Sequence, residues 1–157
     1  MGNIGESLTQ FSFKGEFQYA LDAKGRVSLP LKLRKTINLD EDRQFVLTRG
    51  MDGALLLYPA KTWKSIEDKL TEYSYIGSAD NRAFIRIFLS WANEIELDSQ
   101  FRLNLPQRHL DFAGITNEII ILGIMDKIEL WNPKTYQDYQ QKAGHDYETI
   151  AGKIMGL

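Results

Sequence analysis

The chain has 157 residues, 43% of them apolar and 25% charged, an ordinary composition for a globular protein with one core or two small ones. With no cysteine, disulfide and thiolate chemistry are excluded, which suits the cytosol. The net charge of −2 lacks the overall basic bias of a typical nucleic-acid domain, and the longest apolar run, Ile119 to Met125, is too short to span a bilayer.

In chain order, residues 1–12 are polar, contain Gly2 and Gly5, show no period and read as a mobile arm. No basic region followed by an apolar run opens the sequence, so secretion is not expected. From Phe13, alternation places Phe13, Gly15, Phe17, Tyr19 and Leu21 on one side of a half-buried strand. The stretch Leu21-Asp22-Ala23-Lys24-Gly25-Arg26-Val27-Ser28-Leu29-Pro30 reads as strand end, tight turn, strand and helix start. Gly25 supplies the positive φ that such a turn needs, and Pro30 suits a first helical position. Lys24, Arg26, Lys32, Arg34 and Lys35 give this segment five cations and no acid. Salt screens remote acids beyond about 8–10 Å, so a local basic face can attract phosphate despite the acidic total.

A short helix with Leu31, Leu33 or Arg34, and Ile37 inward is expected next, then a strand pair, Gln44–Thr48 and Ala54–Tyr58. Trp63, Ile66, Leu70 and Tyr73 recur at helical spacing. Ser78 is placed to cap a further helix, in which Phe84, Ile87, Phe88 and Trp91 are expected to face the core. Near Ala92 the pattern starts again. Asp98 to Arg102 answers Asp22 to Arg26, and Pro106 answers Pro30, 76 positions on. Leu130-Trp131 answers Leu57-Tyr58 at an offset of 73, so small deletions separate the copies. Matches in one order across four elements indicate an internal duplication. The tail from Ala143 carries Tyr147, Ile150, Ala151 and Ile154 at helical spacing, a short helix for the body or for a neighbouring subunit.

Catalytic and metal signatures are missing. His109 and His145 are far apart, and no HExxH, CxxC, EF-hand, P-loop, GxGxxG or GxSxG pattern occurs, so no metal and no cofactor are expected. An arginine four residues after Asp22 and after Asp98 favours the ionised carboxylate, which argues against a general acid and against an enzyme.

Several segments together resemble the MraZ family of bacterial transcriptional regulators. They are Phe13-Lys14-Gly15-Glu16-Phe17, the Leu21–Pro30 stretch, Phe45–Gly53, Arg82-Ala83-Phe84, Ala92–Asp98 and Ile128–Trp131. The resemblance runs from Phe13 to Tyr139. It implies an α+β, β-rich fold: two tandem AbrB/MazE-like swapped-hairpin repeats forming a pseudo-dimer barrel, with short helices and a C-terminal helix. The repeats are expected at 13–90 and 91–142, with the tail at 143–157. It also implies a cytoplasmic, nucleoid-associated homo-oligomeric ring, octameric or dodecameric. Such a ring would bind double-stranded DNA at tandem short repeats upstream of the division and cell-wall gene cluster, its own promoter included. No membrane and no small-molecule substrate are expected as partners.

The family's DNA-contacting Asp-x-x-x-Arg motif falls here on Asp22, Lys24, Gly25 and Arg26, and again on Asp98, Gln100 and Arg102. Lys32, Arg34 and Lys35 are lesser phosphate candidates. Phe101 stands where the first loop has glycine, which implies roughly 1–2 kcal/mol of strain or a different loop shape. The first loop is therefore the expected contact and the second depends on its shape. Two rivals stand beside this reading: an antitoxin-type interaction protein, which the same fold class also contains, and an enzyme or structural ring without DNA.

Overall fold

The computed structural model describes residues 11–73, 76–144 and 146–156. The expected arm lies outside these residues except for its last two; of those, Phe11 is buried and stacks on Phe13 with ring centroids 5.5 Å apart.

The first repeat supplies β1 (Phe13–Ala20), β2 (Arg26–Ser28), α1 (Leu31–Arg34), β3 (Gln44–Arg49), β4 (Leu55–Pro59), α2 (Ala60–Glu72) and α3 (Ala79–Ser90). The second supplies β5 (Asn93–Glu96), β6 (Arg102–Asn104), α4 (Gln107–Ala113), β7 (Glu118–Met125), β8 (Lys127–Trp131), α5 (Pro133–Gly144) and α6 (Tyr147–Met155). The architecture is α+β, and every strand pairing is antiparallel.

Six strands form one sheet in the order β1-β7-β8-β4-β3-β5, while β2 and β6 pair as a separate ribbon. Each repeat thus lends its opening strand to the other: β1 pairs with β7, and β5 with β3. The register is that of a pseudo-twofold. Leu56 faces Glu129 at the middle of the β4–β8 pair, and Val27 faces Leu103 at the middle of the ribbon. Residues that correspond in sequence therefore meet across the axis, as two subunits would.

One main core lies between the ribbon and the sheet, where Val27, Leu29, Leu103 and Leu105 meet Phe45, Leu57, Ile121 and Ile128. On the β3–β4 half, α2 and α3 build a second cluster of Val46, Tyr58, Trp63, Leu70 and Phe88. Its counterpart in the second repeat is smaller, with Ala54, Ile120, Trp131 and partly buried Tyr136.

Three expectations need correction. Pro30 and Pro106 occupy the cap position with extended ψ (140° and 143°), one residue before the helical turn. Leu31 is exposed, because a helix of four residues has one inward position, taken by Leu33. In α3 only Phe88 is buried; Phe84 and Ile87 are exposed and Trp91 forms the half-buried C-cap. Ser78 caps α3 as expected, accepting the Asn81 N–H at 3.3 Å.

Candidate nucleic-acid interface

The two Asp-x-x-x-Arg turns end at the two strands of the ribbon, and both are built alike. Asp22 Oδ1 accepts the backbone N–H of Lys24 and of Arg26, each at 2.9 Å, and Oδ2 accepts Nε–H of Arg26 at 2.7 Å. Asp98 does the same for Gln100 (2.8 Å), Arg102 (2.9 Å) and Arg102 Nε (2.8 Å). These bonds span two and four residues, so the turn closes on local sequence alone. The backbone N–H of each arginine, backed by its guanidinium and by a second N–H, holds the aspartate below the ordinary carboxylate range. Both carboxylates are ionised at neutral pH and act as braces.

Each aspartate engages its arginine through Nε. Arg26 and Arg102 are partly exposed, with side-chain accessibilities of 27% and 25%. Neither lies beneath packed side chains.

The ribbon brings the two motifs together. Arg26 pairs with Asn104, and Ser28 with Arg102, while Val27 and Leu103 turn into the core. Strand alternation therefore puts Arg26, Ser28, Arg102 and Asn104 on one outward face, pseudo-symmetric about Val27–Leu103. Arg102 Nη1 lies 4.0 Å from Asp22 Oδ2, which ties the second arginine to the first loop. Backbone bonds lock the turns to the facing strands: Leu105 N–H donates to Gly25 O at 3.0 Å, and Leu29 N–H to Phe101 O at 2.9 Å. Lys24 and Gln100 are exposed at the two turn tips. Ser28 and Asn104 were missed as candidates, since only the pairing of strands 76 residues apart shows that they share a face with the arginines.

Phe101 answers the question of loop shape. Its φ is +60°, close to the +76° of Gly25, so the second turn keeps the first turn's form and carries the left-handed strain. The ring packs against two guanidiniums, that of Arg34 4.7 Å and that of Arg43 5.5 Å from its centroid. Arg43 also donates to Leu97 O (3.2 Å) and Asp98 O (2.5 Å), clamping the turn. Arg34 is thus engaged in supporting the second loop, whereas Lys32 on α1 and Lys35 at its C-cap are exposed. Gly25 has no room to spare: a Cβ there would approach Leu105 O to 3.3 Å and Leu110 Cδ1 to 3.4 Å.

His109 on α4 is buried, and its Nε2 lies 2.7 Å from Trp91 O, while Nδ1 is buried without a partner. Desolvation lowers its pKa. It is a buried polar residue of α4 and not part of the ribbon. His145 lies outside the described residues. Among the described residues, no group of His, Asp and Glu is arranged to hold a metal ion, and no helix is long and apolar enough to cross a membrane.

The fold and site define a duplicated α+β protein whose two halves share one arginine-bearing β-ribbon. The family model described as "MraZ protein, putative antitoxin-like" matches twice, over residues 12–86 and 88–152. A Natranaerobius thermophilus protein named transcriptional regulator MraZ is 40% identical over 143 residues, covering 91% of this chain and 96% of the relative. Proteins of the same name from Syntrophomonas wolfei and Heliobacterium modesticaldum are 39% and 37% identical, covering 92% and 91% of this chain and 98% and 96% of the relatives. The chain belongs to the MraZ family. The second match runs to 152, so the family pattern reaches into helix α6, beyond the Tyr139 limit of the motifs quoted above.

Proposed function

We propose that this protein is a transcriptional regulator that reads double-stranded DNA with the β2–β6 ribbon. The carrying observation is that two identically braced arginines share one outward ribbon face across a pseudo-twofold. A two-stranded ribbon is an element the major groove admits, and the groove is where bases are distinguishable. Arg26 and Arg102 would each make a bidentate contact to guanine O6 and N7, Asn104 would pair with adenine N6 and N7, and Ser28 would contact either base. Lys24, Lys32 and Lys35 would bind phosphate and set the register; Gln100, uncharged, would contribute a neutral hydrogen bond to the backbone. Asp22 and Asp98 would brace and not touch DNA, because a carboxylate facing phosphate repels.

The interleaved pairing of β1 with β7 and of β5 with β3 supports the swapped-hairpin, pseudo-dimer barrel, with repeats at 13–90 and 91–142. In this reading several copies assemble into a ring, an octamer or a dodecamer, in the nucleoid. Each ribbon alone binds weakly, and tandem operator repeats about one helical turn apart multiply the affinity through effective concentration. The target is DNA upstream of the division and cell-wall cluster, including the protein's own promoter.

The test is binding to DNA upstream of its own gene. Arg26→Ala should abolish the specific complex and leave the oligomer intact. Lys24→Ala should lower the salt slope by about one and keep the sequence preference. Equal affinity for a single repeat and for an array would dispose of the ring's role. A pull-down that recovered a stable partner enzyme, with no shift of duplex DNA, would favour the antitoxin-type reading instead.

A further inference from the structure

We propose that Arg43, assisted by Arg34, is a positioning residue for DNA reading, holding the second turn in the shape from which Arg102 reaches a base. This rests on the ribbon reading above and says what keeps the second half of the ribbon competent. Phe101 stands at φ +60°, a region that phenylalanine enters only at a cost, so a second turn without support relaxes toward negative φ. That change moves Asp98, and with it the arginine that Asp98 braces through Nε at 2.8 Å. Arg43 acts on this segment directly. It donates to Leu97 O at 3.2 Å and to Asp98 O at 2.5 Å, and its guanidinium packs against the Phe101 ring.

The pseudo-twofold supplies the comparison. Leu97 N–H donates to Arg43 O at 2.9 Å, and Leu21 N–H donates to Asn117 O at 2.8 Å, so Asn117 holds beside the first turn the place that Arg43 holds beside the second. Likewise Arg34 N–H donates to Pro30 O and Leu110 N–H to Pro106 O, which makes Leu110 the counterpart of Arg34. The turn with Gly25 is thus supported by Leu110 and Asn117, and the turn with Phe101 by Arg34 and Arg43. Glycine takes the left-handed shape freely and needs no clamp. Where phenylalanine replaces it, both supporting positions carry arginine, and both guanidiniums reach the ring. The three differences compensate one another, so both turns keep one form and both arginines stay in register on the ribbon.

The experiment measures binding of the full chain to one repeat of the DNA upstream of its own gene, at fixed salt, by fluorescence anisotropy. Far-UV circular dichroism is the folding control, and interference by guanine N7 methylation shows which guanine each arginine reads. Arg43→Asn, which installs the first turn's residue, should weaken binding about fivefold or more, the least that a lost arginine–guanine contact costs. It should also erase interference at the guanine that Arg102→Ala erases, and leave the Arg26 guanine unchanged. Adding Phe101→Gly should restore wild-type affinity, because the turn then has the residues that serve the first one. An arginine needed only for stability would not be rescued in this way. Arg34→Leu removes a ring contact, should show the same loss and the same rescue, and carries the test if Arg43→Asn does not fold. Wild-type affinity in the folded single variants, or a loss that persists with Phe101→Gly, overturns the positioning role and leaves the ribbon reading standing. Wild-type affinity in Arg102→Ala overturns the second turn's part in reading, and the positioning role with it.

Discussion

If the ribbon is the reading unit, Arg102→Ala must cost as much DNA affinity as Arg26→Ala. The two guanidiniums are braced at 2.8 and 2.7 Å, are equally exposed, and occupy positions related by the pseudo-twofold. A bidentate arginine–guanine contact carries about 1–3 kcal/mol, so each substitution should weaken binding to one operator repeat by about 5- to 150-fold. Across an array in which several ribbons bind, the losses compound and the complex should disappear. Folding should be little affected, because a partly exposed ion pair of this kind contributes at most about 1 kcal/mol. Arg102→Lys should fare nearly as badly, since lysine lacks the fork that lets one edge hold Asp98 while the other reads a base. Fluorescence anisotropy on single and tandem repeats at fixed salt, with thermal melts alongside, measures all of this. Wild-type affinity in Arg102→Ala beside a dead Arg26→Ala would refute the shared ribbon and leave only the first loop as reader.

Further outcomes follow from the same geometry. At Phe101, Gly should be the more stable replacement and Ala the less, by about 1 kcal/mol. Alanine keeps the left-handed strain of about 1–2 kcal/mol, while glycine costs roughly 0.5–1 kcal/mol in entropy; equal melting temperatures would show the strain is not there. Gly123→Ala should destabilise by about 1–3 kcal/mol, because a Cβ there would meet the backbone of Phe13 and Lys14 across the β1–β7 pair; an unchanged melt would speak against that pairing. Stability should fall as pH drops below about 6.5, since unfolded His109 binds a proton there that the buried ring resists until its lower folded pKa is reached. Asp22 and Asp98 stay ionised in that range, their contribution being present above the ordinary carboxylate pKa and lost at lower pH. His109→Gln should therefore flatten the slope of denaturant stability between pH 7.5 and 5.5; a slope equal to wild type would place its origin elsewhere.

Local order was legible in the chain itself. The duplication, the strand periods, the Ser78 cap and the aspartate-braced turns depend on bonds reaching two to four residues, so residue types in order were enough. The positive φ of Gly25 belongs to the same class. At Phe101 local reasoning left two outcomes open, because a strained backbone persists only when its surroundings hold it. Here Arg34 and Arg43 do so, from residues distant in the chain.

Tertiary structure alone decided that strands from the two repeats pair, so that Ser28 and Asn104 join the arginines on one face. It also decided which apolar stripes find cover. Periodicity shows that a helix has an apolar side and says nothing of what meets it, which is why Phe84 and Ile87, read as core, emerge on the surface. Pairing between the repeats is set by contacts between residues far apart in the chain, from Leu47 with Asn93 to Phe13 with Met125, and its free energy depends on how the whole chain closes, which no local window of residues encodes.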